Sequence, residues 1–133
     1  MIYLLDTNTC IYYLNNKFSK VREHLDKFEA EDIAVCAVVK AELFFGAIRS
    51  NKSERTTVEQ EEFLNQFHSY PFDDKAAKIC AKIRADLYKV GKPIGSNDLL
   101  IASIGLANDL TLVTHNIDEF SRVAGLRLED WEV

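Results

Sequence analysis

Ile2-Tyr3-Leu4-Leu5-Asp6 is an apolar run that ends on an acid. A run this short and this apolar reads as a buried strand. An unpaired carboxylate at the tip of such a strand costs desolvation free energy unless something uses its charge. Thr7, Asn8 or Thr9 can then cap a helix that ends near Asn15-Asn16-Lys17. Taken alone, Asp6 is a turn former or a helix cap. The rest of the chain decides whether it is more than that.

Outward from this stretch, short apolar strands alternate with helices. Residues 33–37 (IAVCA) and 110–114 (LTLVT) read as strands, with a brief one near Leu126–Leu128. Residues 69–72 (SYPF) read as an edge strand, because Pro71 cannot donate to a ladder. Helical spacing runs over 18–29, 39–50 and 53–67. It is clearest over 73–89, where Ala76, Ile79, Cys80, Ile83 and Leu87 share one face. Gly91-Lys92-Pro93-Ile94-Gly95 breaks the chain. Ser96 or Asn97 then caps a helix, LLIASIGLAN, that is apolar on nearly every side and therefore central. The alternation predicts one three-layer α/β/α domain over 1–133 with a mainly parallel sheet. Ligands of such sheets bind beyond the carboxyl ends of the strands. That rule puts Asp6 and the segment Thr114–Asn116 on one rim.

Composition narrows the classes. A net charge of −5 with no basic tail argues against simple polycation binding to nucleic acid. An acidic nuclease stays open, because bound divalent ions change the local field. Cys10, Cys36 and Cys80 are odd in number and widely spaced, so neither a disulfide framework nor a zinc finger is supported. No apolar run approaches ~18 residues, so no membrane span is expected. No basic region followed by a long apolar stretch opens the sequence, and the expected location is cytoplasmic.

Four polar positions follow from the predicted rim: Asp6, Glu42, Asp98, and the cluster Asn116, Asp118 and Glu119. Each has a plainer use. Glu42 can be an exposed helical glutamate, although Leu43, Phe44 and Phe45 leave little polar face there. Asp98 can stabilise a helix N-terminus. The late cluster can cap the next turn. Gathered on one rim, these acids repel one another and raise each other's pKa. A hard divalent cation removes that penalty, and oxygen donors suit Mg²⁺, with Mn²⁺ as the other choice. Such an ion activates water and neutralises charge on a phosphate, so phosphodiester hydrolysis is the natural chemistry.

The stretches YLLDTNTCIYYL, AELFFGA, GKPIGSNDLLIASIGLANDLTLVTHNIDEF and GLRLEDW together resemble the PIN-domain ribonucleases, and most closely the VapC-type toxins of toxin–antitoxin pairs. The resemblance spans almost the whole chain, in order. It implies a Mg²⁺-dependent endoribonuclease leaving a 3′-hydroxyl and a 5′-phosphate. It implies metal ligation by Asp6, Glu42 and Asp98, with the fourth position of the site falling on Asn116. Asparagine there offers a neutral carbonyl, and Asp118 or Glu119 could bring the missing charge. Thr7, Asn8 and Thr114 are implied to orient the acids and water. The resemblance further implies a homodimer and a cognate antitoxin whose tail lies in a groove. Tyr12, Tyr13, Phe44, Phe45, Phe63 and Phe67 suit such a groove, although Phe44 and Phe63 fit the core better.

Three other readings compete. An aspartyl phosphotransfer fold wants a second acid two residues after the first, and position 8 is Asn. A flap-type DNA nuclease would be a much longer chain. A catalytically silent PIN-like module that only binds protein or nucleic acid would have lost one of Asp6, Glu42 and Asp98, and all three are present. Among the basic side chains, Lys17, Lys20, Arg22, Arg49, Lys52, Arg55, Lys89 and Lys92 could reach phosphates, with solvated surface the plainer role for most.

Overall fold

The structure is a computed structural model describing residues 2–133. In chain order its elements are β1 (Tyr3–Leu5), α1 (Thr7–Asn15), α2 (Lys20–Leu25), a 3₁₀ turn (Ala30–Asp32), β2 (Ile33–Cys36), α3 (Ala37–Arg49) and α4 (Ser53–Leu64). There follow β3 (His68–Tyr70), α5 (Asp74–Lys89), α6 (Ser96–Ala107), β4 (Thr111–Val113), α7 (Ile117–Phe120) and β5 (Leu128–Glu129). The five strands form one sheet in the order β3-β2-β1-β4-β5. Every neighbouring pair is parallel, with Tyr3 opposite both Ile33 and Thr111. The sheet expected to be mainly parallel is parallel throughout.

This order places β1 at a topological switch point. The chain moves from β1 through β2 to β3 on one side, then returns to β4 and β5 on the other. Parallel crossovers are right-handed, so α1–α4 and α5–α7 cover opposite faces. Accordingly α1 packs on α2 and α3, α3 on α4, and α5 on α6. The reversal opens a crevice at the carboxyl ends of β1 and β4, where ligands of such folds sit. Helices α3 and α6 also touch each other, which carries their residues toward the same rim.

Burial follows the sequence pattern. Leu4, Val35, Cys36, Leu112 and Val113 are fully buried in the sheet. In α6, Leu99, Ile101–Gly105 and Ala107 are all buried, as an apolar helix between layers must be. At Gly105 an added Cβ would lie at ordinary van der Waals distance, 3.4 Å from Leu126 Cδ1 and 3.7 Å from Leu4 Cδ2. Trp131, in the closing GLRLEDW, is 1% exposed and packs against Tyr3, Phe28 and His24.

Several local expectations change. The cap of α1 is Asp6 itself, whose Oδ1 accepts the Thr9 N–H at 2.8 Å, so Thr7–Thr9 lie inside the helix. Helix α6 starts at Ser96 behind Gly95, with no side-chain cap; Ser96 and Asn97 are helical. The 18–29 segment yields only the short α2, capped by Ser19, whose Oγ accepts the Arg22 N–H. Its continuation is replaced by a turn and by Phe28 packing on Tyr3 and Trp131.

A carboxylate rim at the sheet switch point

Asp6 leaves β1 with its backbone N–H donating to the Val113 carbonyl at 3.1 Å, so its position is set by the β1–β4 pairing. Its side chain is 4% exposed. Burial raises its pKa, the Thr114 hydroxyl and the Thr9 N–H oppose that rise, and Glu42 adds to it. Asp6 is therefore both cap and rim acid. Thr114 is fully buried and serves two neighbours: it donates to Asp6, and its Oγ1 accepts the Asn116 N–H at 3.0 Å.

Glu42 comes from α3 and is half-buried. The Thr7 hydroxyl donates to its Oε1 at 2.7 Å, tying α3 to the first turn of α1. Leu43 beside it is buried, Phe44 is partly buried against the core, and Phe45 is exposed. The helix thus has a polar side at Glu42 despite the apolar run.

Asp98 and Glu119 meet above Gly95. An added Cβ on Gly95 would lie 3.6 Å from Glu119 Oε1 and 3.7 Å from Asp98 Oδ2. Asp98 is pushed up to about 7 by burial first, then by the charge of Glu119, the hydrogen bond between them, and the charges of Glu42 and Asp6. Glu119 shifts down instead, because the Gly95 N–H (2.8 Å to Oε1) and the Asn116 amide (2.8 Å to Oε2) hold its charged form. Of the two, Asp98 is the acid whose protonated form is favoured.

Asp6, Glu42, Asp98 and Glu119 are thus brought to one rim from β1, α3, α6 and α7. Asn116 is there too, with its amide N–H₂ turned to Glu119. Asp118 is exposed at the start of α7. Thr7 and Thr114 each hold an acid, and Asn8 is exposed on α1. Gly95 and Thr9 were not singled out as site residues by their sequence, and both contribute backbone N–H groups. The only available signal was their position beside a predicted strand end and helix start.

The donor set suits a hard divalent cation. All four acids offer oxygen, and the groups that shift Asp6 and Asp98 include no lysine or arginine to offset their mutual repulsion. Among the described residues no three His, Cys, Asp or Glu side chains have already closed to metal-holding distance. Glu42 accepts the Thr7 hydroxyl through Oε1, which leaves its other oxygen as a donor.

Arg22 and Arg55 do other work, whereas the charge of Arg122 helps to lower Glu119 at the rim. Arg22 donates to the carbonyls of Asn16 (2.7 Å) and Tyr13 (2.8 Å) and lies over the Tyr13 ring, fastening the end of α1. Arg55 pairs with Glu59 on the surface of α4.

Comparison with known proteins agrees with this architecture. The PIN domain family model matches residues 3–126. Ribonuclease VapC2 of Rickettsia felis is 38% identical over 133 residues, covering 99% of each chain. The tRNA(fMet)-specific endonuclease VapC of Salmonella typhimurium is 35% identical over 129 residues, 97% of each. Among solved structures, DNA-bound VapBC from Salmonella typhimurium superposes with a TM-score of 0.93 at 34% identity, over 98% of both chains. VapBC2 from Rickettsia felis, bound to a DNA fragment from their promoter, gives 0.90 at 38%, over 98% of this chain and 99% of that one. The chain belongs to the PIN-domain family and, within it, to the VapC ribonucleases.

Proposed function

We propose that residues 1–133 act as one nuclease domain, a metal-dependent endoribonuclease that is the toxin of a toxin–antitoxin pair. The observation that carries this reading is the four-acid rim at the switch point, on a chain matched along its length by VapC ribonucleases. Asp6, Glu42, Asp98 and Glu119 would hold Mg²⁺ or Mn²⁺. Bound there, the ion supplies an activated water and neutralises charge on the scissile phosphate.

The chain's own groups set the geometry. Thr114 and the Thr9 N–H fix Asp6. Thr7 fixes Glu42, and Gly95 and Asn116 fix Glu119. Burial and the neighbouring acids push Asp98 up to about 7 without metal, so an ion held there would favour its charged form. Single-stranded or looped RNA suits a rim of this kind, because its backbone is accessible.

The partner is a cognate antitoxin, as in the VapBC complexes that share this fold. Of the aromatic residues suited to a groove, Phe63 is core at 4% exposure, while Phe45 stands 61% exposed. Tyr12, Tyr13, Phe44 and Phe67 are partly buried against the core. The toxin forms a homodimer and works in the cytoplasm. Among the described residues no helix is long and apolar enough to cross a membrane.

The test is cleavage of single-stranded RNA by the purified chain with Mg²⁺, with EDTA, and with Asp6→Asn and Asp98→Asn. Asparagine caps a helix as well as aspartate does, so Asp6→Asn preserves α1. Cleavage should need the metal and be lost in both variants. Full activity in EDTA or in either variant would sink the reading.

A further inference from the structure

The rim borders an open cleft that the four acids do not occupy. It has a volume of about 450 Å³, in the range of sites that hold small organic groups. Asn8, Tyr12, Asn15 and Asn16 line it from α1 and its end, and His115 and Asn116 line it from beyond β4. Asn116 belongs to both cleft and rim, since its amide donates to Glu119. Whatever fills the cleft therefore abuts the carboxylates.

The chemistry of the lining is selective. Four amides, a phenol and an imidazole offer donors, acceptors and ring faces. No lysine or arginine lines it, and Glu132 forms part of the wall. His115 is held by Asp130 through a 2.9 Å contact at Nδ1. A wall with a carboxylate and no lysine or arginine disfavours a phosphate. Amides and aromatic rings are instead what proteins use to read unpaired bases, by edge hydrogen bonds and by stacking. The far end is rigid: the Asn16 amide donates to the Tyr12 carbonyl at 2.8 Å, and Arg22 holds the Asn16 carbonyl. Among the described residues the Asn8 and Asn15 side-chain amides have no protein partner, so both can meet a ligand.

We propose that this cleft takes one unpaired RNA base immediately beside the scissile phosphate, and that Asn8, Tyr12 and Asn15 determine which base is preferred. The proposal rests on the endoribonuclease reading and adds to it a specificity site.

The experiment cleaves a pool of single-stranded oligoribonucleotides, randomised over a central stretch, with Mg²⁺ or Mn²⁺ and sequences the product ends. Wild type should favour one base at a position flanking the cut. Asn8→Ala and Asn15→Ala should flatten that preference. Tyr12→Ala should raise KM roughly tenfold through lost stacking, with Tyr12→Phe retaining most of the affinity. A variant that had merely lost folded protein would slow all cuts equally and leave the ratios intact. Wild-type base ratios in both asparagine variants, or no flanking preference in wild type, would overturn the proposal. If wild type cleaves no RNA with either metal, the endoribonuclease reading falls and takes this proposal with it.

Discussion

Asp98 and Glu119 converge above Gly95, and of the two it is Asp98 that is pushed up to about 7 while Glu119 is drawn down. The asymmetry has a visible cause. Glu119 receives the Gly95 N–H and the Asn116 amide, and Asp98 receives neither.

The stability of the metal-free protein should depend on pH. A carboxyl raised in the folded state binds a proton that the unfolded chain has already released, so it favours the fold at low pH. That contribution is present below the ordinary carboxylate range and is lost as pH rises through about 7. In EDTA, the melting temperature should fall between pH 5 and pH 8, and Asp6, raised in the same direction, adds to the trend. Mg²⁺ should flatten the slope, and Asp98→Asn should reduce it without metal. A melting temperature in EDTA that rises over this interval would contradict the raised Asp98 carboxyl.

Asn116→Asp replaces a donor to Glu119 with a like charge. Without metal the variant should be less stable by on the order of 1 kcal/mol. With Mg²⁺ it should bind the ion more tightly, because the rim gains a charged oxygen. Isothermal titration and thermal melts read the two effects separately. Unchanged metal affinity and rate would mean that position 116 contributes no ligand.

Thr7→Val removes the 2.7 Å bond to Glu42 while keeping the side chain's shape. The loss in stability should be modest, roughly 0.5–1.5 kcal/mol. The cleavage rate should drop further than that figure implies, because Glu42 loses its orientation, and Thr7→Ser should recover it. Equal losses in Thr7→Val and Thr7→Ser would argue against the hydroxyl's role.

Trp131→Ala tests the aromatic cluster beneath the C-terminal segment. The indole is 1% exposed, packs on Tyr3, Phe28 and His24, and donates to Glu129 Oε1 at 3.0 Å. Its loss should cost about 3–5 kcal/mol in urea unfolding, a large part of the roughly 5–15 kcal/mol that holds a domain together. A cost below about 1 kcal/mol would show the aromatic cluster to be dispensable.

The layered α/β plan, the strands at 2–5, 33–37 and 110–114, and the acids worth watching are all legible in the residue pattern. Periodicity is local, and an apolar helix such as α6 announces its burial without reference to its neighbours. The site's wiring is not local. That Asp6 caps its own helix depends on where the chain turns after β1. That Glu119 rather than Asp118 faces the rim depends on the start of α7 and on the Gly95 N–H, which lies a whole helix and strand earlier in the chain. Arg22 read as a free cation until the end of α1 came close enough for two carbonyls to hold it. These points rest on the folded chain, because hydrogen bonds and charge–charge shifts depend on distances between residues remote in sequence.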